Sequence, residues 1–327
     1  MIISRTPLRV SFVGGGSDIK SFYGHEAGIV VSTAINKYIY ITVNQSFDGK
    51  ISVRYSKEER VDDIDDLENN LIREALRLVH IEGGVDISST SDIPSEGSGL
   101  GSSSSYLVGV LHALYAFKGR SVSAKQLAQD ACKIEVDILK KPIGKQDQYI
   151  AAFGGFQTIQ FNPDDSVYVD PIIFSAETRQ ELQERLLLLY TGITRSSDTI
   201  LAKQNANLIK YSAKRKTLSQ MVQLAREMQL CLQKNKLDTF GELLDQNWKL
   251  KKEMADGITS PLIDQWYSIA KKNGAIGGKL LGAGGGGFLL FYAPRKHHKE
   301  IIKALPRLRA TDLTFEPQGS KIIFVGQ

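Results

Sequence analysis

Residues 91–117, SDIPSEGSGLGSSSSYLVGVLHALYAF, constrain the fold more than any other stretch. Gly97, Gly99 and Gly101 alternate with small residues directly ahead of a long apolar run. Glycine lacks a Cβ, so this turn can enter the left-handed region and its amides can lie against a ligand. The serines supply hydroxyls and little volume. The apolar run predicts a helix from about Ser103 to Phe117, whose start carries free N–H groups and a positive dipole end. VDISSTSDIP, just before, predicts a strand. Strand, glycine loop and helix together define an anion site suited to phosphate. A flexible linker would not sit between a strand and a strongly apolar helix. The common phosphate loop, G-x-x-x-x-G-K-[ST], needs a lysine after its last glycine, and none is present here.

A chain of 327 residues has room for two domains. Its N-terminal half is rich in strand patterns, among them IISRTPLRVSFVG, GIVVSTAINKYIYITVN and KISVRYS. LENNLIREALRLVHIEGG has helical spacing that stops at Gly83-Gly84, and SAKQLAQDACKIEVDILKK predicts a helix capped by Ser123 that ends before Pro142. Beyond about residue 178 comes a buried strand, ERLLLLYTG, then long amphipathic helices, and GGFLLFYAP and SKIIFVG close the chain as strands. This order predicts an α+β pair of domains, 1–178 and 179–327, with glycine-rich loops gathered where they meet.

Composition narrows the function classes. No stretch approaches the roughly 18 apolar residues of a membrane span, and the start is too quickly polar for a signal peptide. The two cysteines, Cys132 and Cys231, make a disulfide framework improbable and point to a reducing cytoplasm. Cysteines and histidines lack the spacing of a structural zinc site. The net charge of +5 gathers in KKP (140–142), KLKKE (249–253) and PRKHHKE (294–300), each read as a solvated helix face or turn. Without interleaved aromatics these clusters argue against nucleic acid, and an anionic small molecule suits the balance better.

Two further glycine clusters and one acidic stretch carry chemistry. RVSFVGGGSDIKSFY follows the first strand, where Gly14, Gly15 and Gly16 permit close approach of a substrate and Asp18 can accept from hydroxyls. LLGAGGGGFLLFY matches G-x-G-x-x-G across Gly282 to Gly287, yet a dinucleotide fingerprint opens a helix and a strand follows here. A tight turn beside the nucleotide is the better reading. KIEVDILKKPIGKQDQYIAAFGGF turns at Pro142 and Gly144 and presents Asp147 in a catalytic loop, 142–155. Its carboxylate can accept a proton from an attacking hydroxyl or orient it. Glu135, on the preceding helix, and a loop hydroxyl such as Ser103 can hold Mg²⁺, which takes few protein oxygens and completes its shell with phosphate and water.

RTPLRVSFVGGGSD, SGLGSSSS and GKQDQYIAAFGG, in this order, resemble the motifs of the GHMP sugar and small-alcohol kinases over nearly the whole chain. Within that family they are most similar to the D-glycero-D-manno-heptose 7-phosphate kinases, with fucokinase-like sugar 1-kinases as near neighbours. The resemblance implies a two-domain fold with ATP and sugar sites at the domain interface. It implies that Gly97, Ser98, Gly99, Leu100, Gly101, Ser102, Ser103 and Ser104 (phosphate loop 95–105) wrap the ATP phosphates. Ser103 and Glu135 match the Mg²⁺ ligands, Asp147 the catalytic aspartate, and Arg9 the basic residue beside it. Gly15, Gly16, Ser17 and Asp18 match the sugar-binding end of the first motif. Galactokinases carry Glu-His where this chain has Gly15-Gly16, which implies a roomier pocket, fit for a seven-carbon or phosphorylated sugar. Lys145 and Arg195 are the candidate cations for a distal phosphate. The expected reaction is ATP- and Mg²⁺-dependent phosphorylation of an anomeric hydroxyl by a cytoplasmic monomer or homodimer. A catalytically silent sugar and ATP sensor, and a dehydrogenase built on GAGGGG, are the rivals.

Overall fold

The computed structural model describes residues 1–93, 97–194 and 197–326. Its first strands are β1 (Ile2–Val13), β2 (Gly28–Gln45), β3 (Ile51–Arg54), β4 (Glu58–Val61), β5 (Val85–Ser91), β6 (Phe156–Phe161) and β7 (Val167–Pro171). They are followed by β8 (Leu186–Tyr190), β9 (Gly277–Leu280), β10 (Phe288–Tyr292), β11 (Arg309–Thr311) and β12 (Lys321–Val325). One sheet runs β12-β1-β2-β5-β3-β4, with β6 and β7 attached through β2. β2 serves both branches because it is 18 residues long: Gly28–Thr33 pairs with β6 and Ile39–Gln45 with β5. The second sheet, β11-β8-β10-β9, is antiparallel throughout.

The helix Ser102–Phe117 packs across β1 and β2, burying Leu107, Val108, Leu111 and Leu114. Helices Ser212–Gln233 and Phe240–Lys252 reach from the second half of the chain back to β1. Phe12 of β1 stacks on Phe156 at 5.2 Å and meets Phe240 edge-on at 5.3 Å, and Phe240 meets Tyr292 of β10 at 5.2 Å. These are favourable aromatic separations. They run one continuous core from the first sheet into the second.

The architecture matches the α+β expectation, with four local amendments. Residue 178 falls inside the helix Ala176–Arg185, and β12 returns to pair with Ile2–Arg5, so the chain's end belongs with the first sheet. The helix that opens at Ser123, whose Oγ accepts from Gln126 N as a cap does, is regular only to Cys132 and then widens into a π turn, Lys133–Ile138. The stretch 146–153 is a short helix, not a loop, and Asp147 lies in its first turn. The helix Asn70–Val79 also stops early, at left-handed His80 with φ 58°.

Candidate active site

A cavity of about 500 Å³ opens where loops of the two sheets meet. Gly101, with φ 77°, turns the chain into the helix that starts at Ser102. The first intrahelical bond runs from Ser105 N to Gly101 O at 3.0 Å, which leaves the amides of Ser102, Ser103 and Ser104 for a ligand. The turn between β9 and β10 packs onto this loop. A Cβ on Gly99 would collide with the Leu281 carbonyl, and one on Gly287 with that of Ser98. Bare backbone crosses bare backbone there, and no helix follows Gly287, as expected of a turn and not of a dinucleotide fingerprint.

Arg9 and Asp147 form a bidentate pair beside the loop. Arg9 Nε donates to Oδ1 and Nη2 to Oδ2, each at 2.7 Å, while Nη1 donates to Gly99 O at 2.6 Å. The guanidinium therefore ties the acid to the glycine loop through a planar fork. A Cβ on Gly101 would stand 3.3 Å from Asp147 Oδ2, so carboxylate and loop backbone are direct neighbours. Asp18 is held below them: its Oδ1 accepts from Gly16 N at 2.9 Å and its Oδ2 from Gln146 N at 3.1 Å. Burial pushes its carboxyl above the ordinary carboxylate range, the Gln146 amide pulls it down, and the Asp147 charge raises it again.

Glu135 is fully buried and four side chains serve it. Ser103 Oγ and Lys141 Nζ each donate to Oε1 at 3.1 Å, and Ser104 Oγ (2.7 Å) and Gln148 Nε2 (2.6 Å) donate to Oε2. Lys141 Nζ also reaches Ser103 Oγ at 3.2 Å. An ammonium thus bridges the two oxygens expected to bind Mg²⁺, which marks the spot as a cation position with hard donors. No cluster of three acidic, histidine or cysteine ligands exists among the described residues. A single carboxylate with a hydroxyl suits Mg²⁺, which relies on substrate phosphate for the rest.

Of the other expected residues, Gly15, Gly16 and Asp18 line the cavity, and so do Gly97 to Ser104 apart from Leu100, whose side chain is buried in the core. Ser17 is a correction: it is fully buried and its hydroxyl donates to Ile29 O at 3.1 Å, away from the cavity. Lys145 is another. Its ammonium pairs with Asp165 at 3.3 Å and lies over the Tyr23 ring, and it is not among the residues that line the cavity. Arg195 lies outside the described residues.

Sequence reasoning missed two buried lysines that line the cavity. Lys251 donates to Gln204 Oε1 at 2.8 Å and Gly15 O at 3.3 Å. Burial lowers it to about 8. Lys279 donates to Ser11 O at 2.7 Å and Phe12 O at 3.1 Å, and burial, then the Lys251 and Arg9 charges, push it well below the ordinary lysine range. The signal was present as periodicity. Lys251 continues the buried stripe Leu244–Trp248, and Gln204 stands midway in Ile200–Leu208, at helical spacing.

Comparison with known proteins agrees with this geometry. The family of GHMP kinases N terminal domains matches residues 70–155, and that of GHMP kinases C terminal domains matches residues 228–309. The D-glycero-alpha-D-manno-heptose 7-phosphate kinase of Campylobacter jejuni is 30% identical over 98% of both chains. The L-fucokinase/L-fucose-1-P guanylyltransferase of Bacteroides fragilis is 25% identical over 98% of this chain and 38% of that one. The crystal structure of a D-glycero-D-manno-heptose 1-phosphate kinase from Bacteroides thetaiotaomicron superposes with a TM-score of 0.82 at 25% identity, covering 100% of both. The chain belongs to the GHMP kinase family. It is accordingly an ATP-dependent phosphotransferase.

Proposed function

We propose that the protein transfers the γ-phosphoryl group of ATP to the anomeric hydroxyl of D-glycero-D-manno-heptose 7-phosphate, giving the 1,7-bisphosphate. The observation that carries this reading is the Asp147 carboxylate, fixed by Arg9 and abutting the glycine loop at Gly101. Phosphates seated on the amides of Ser102–Ser104 bring a reacting phosphorus next to that carboxylate. The sugar enters along Gly15, Gly16 and Asp18. Its hydroxyl oxygen bonds to the γ-phosphorus as the bridging oxygen leaves with ADP, and the proton passes to Asp147 and then to water. An anomeric hydroxyl is more acidic than an ordinary alcohol, and a loose phosphoryl transition state asks for alignment and positive charge more than for a strong base. Arg9, the helix start and the loop amides supply that charge. Ser103 and Glu135 would hold Mg²⁺, which would supply neutralisation of the phosphate charge.

A substrate panel tests the reading: the heptose 7-phosphate, fucose, mannose and galactose with ATP, the product's phosphate located by NMR. The expected result is preference for the heptose phosphate with transfer to C1. Preference for fucose would instead favour a fucokinase-like activity. Asp147→Asn should keep ATP affinity and lower kcat by about 100-fold or more, the loss of a positioned proton acceptor. Turnover near that of the unaltered protein removes Asp147 from the mechanism.

A further inference from the structure

Lys251 combines features that a purely structural lysine does not need. It is 6% exposed, it lines the cavity, and no carboxylate lies within ion-pair distance of it among the described residues. A buried charge without a counter-charge is costly, so chains retain one where something else supplies the charge. Two of its ammonium hydrogens go to neutral oxygens, Gln204 Oε1 and Gly15 O. An ammonium has three, and the remaining one has no acceptor among the described residues.

Gln204 repeats the pattern independently. It is fully buried, its oxygen serves Lys251, and its Nε2 has no hydrogen-bond partner. That amide packs directly on Gly16, in the space a side chain would fill, and a Cβ on Gly16 would stand 3.4 Å from Lys251 Nζ. Lys279, also buried and without an acidic partner among the described residues, lies close enough to feel the Lys251 charge. Asp18 is the acid whose charge reaches Lys251, and its carboxylate is already engaged by the amides of Gly16 and Gln146. Asp18 therefore makes no direct ion pair with Lys251, and the ammonium is left for a ligand to answer.

Gly15–Gly16 separates the two functional ends of the cavity. On one side a Cβ on Gly15 would lie 3.6 Å from Gln146 Nε2, next in sequence to Asp147. On the other side stand Gln204 and Lys251. A sugar whose reacting hydroxyl meets Asp147 must extend its far end along these glycines toward Lys251. We propose that Lys251, positioned by Gln204, forms an anion subsite that binds the non-reacting phosphate of a phosphorylated sugar. Resting on the kinase reading above, this assigns the selection of a phosphorylated over a free sugar to the helix Phe240–Lys252.

The test compares kcat/KM for matched pairs, heptose with and without its 7-phosphate and mannose with and without its 6-phosphate. The unaltered protein should favour the phosphorylated member of at least one pair. Lys251→Met should cut that ratio by about 100-fold, the loss of one charge-assisted contact to a buried anion, mostly through KM. Gln204→Leu should cut it by about 10-fold, and it carries the test alone if Lys251→Met does not fold. A ratio unchanged in the variants, or equal losses for both members of a pair, overturns the subsite. Lysine-dependent preference for mannose 6-phosphate over the heptose phosphate upholds the subsite and overturns the heptose reading. An enzyme that favours free sugars while phosphorylating C1 overturns both the subsite and the heptose 7-phosphate reading, whereas a heptose 7-phosphate preference that survives both substitutions overturns the subsite alone.

Discussion

Lys141 holds one ammonium against both Glu135 Oε1 and Ser103 Oγ, and so keeps a fully buried carboxylate compensated without a metal. Lys141→Gln removes that cation. Breaking a buried ion pair from one side costs about 3 kcal/mol, which corresponds to a fall of roughly 4–5 °C in the thermal midpoint of the free protein. Mg²⁺ with ADP should restore most of it, so the ligand-induced shift should exceed that of the unaltered protein. Equal shifts in a scanning melt would show that Lys141 and Mg²⁺ do not share a position. Lys251 gives a second expectation, in pH. Its folded value of about 8 lies below its ordinary value of 10.5, so between these pH values the unfolded chain binds more protons and stability rises with pH. Lys251→Met lacks this dependence, and melts at pH 8 and pH 10 should show its stability advantage shrinking toward the higher pH. At this scale the gathering of Asp147, Glu135 and Ser103 around one cavity was expected from the resemblance of their motifs, with Asp147 just after Pro142 and Gly144 and Ser103 just after the glycine loop. Lys251 was not, because KLKKE reads as a solvated face until one sees which lysine shares a stripe with Trp248.

The elements that build the nucleotide wall meet through glycine. Gly282, at φ 77°, places its Cα so that a Cβ would lie 2.6 Å from the Gly99 Cα. Gly282→Ala must push the β9–β10 turn away from the phosphate loop, and the expected result is a rise in KM for ATP of about 10-fold or more, from strain and clash of a few kcal/mol. Gly119→Ala is the matched control. It has φ 69° but open space around it, so it bears the backbone penalty without touching the loop, and its KM for ATP should stay the same. Equal effects of the two substitutions would deny the contact any part in nucleotide binding. The turn and strand of 282–292 were readable, since FLLFY is too short and too β-prone to open a helix, whereas the short strand Gly277–Leu280 carried no pattern of its own. The helix Gln146–Phe153 was not, because its eight residues lie between glycines at 144 and 154 and isolated helices this short are unstable. Packing against the helices Ser102–Phe117 and Ala124–Cys132 decides its conformation.

Across the whole molecule, the end of the chain returns to brace the site from behind. Strand order could not be read beforehand, because the pairing of β12 with β1 joins residues some 320 apart and no local pattern records it. On its way to that pairing the chain bonds Ser320 N to Ala151 O at 2.9 Å, and Ser320 Oγ meets both Thr6 Oγ1 (2.8 Å) and His112 Nδ1 (3.0 Å). Gly319 passes so close that a Cβ there would collide with the Ala152 carbonyl. Residues 151 and 152 belong to the helix whose first turn carries Asp147, so this strap sets the far end of the element that aims the acid. Gly319→Ala has to lift the strap or tilt that helix. The expected cost is about 2–3 kcal/mol, a midpoint lower by roughly 3–5 °C. Because the phosphate loop is untouched, kcat should fall several-fold while ADP affinity by calorimetry stays within a factor of about two. A variant that loses ADP affinity as much as turnover would show the strap acting on the fold at large; one that keeps kcat would show that the strap does not aim Asp147.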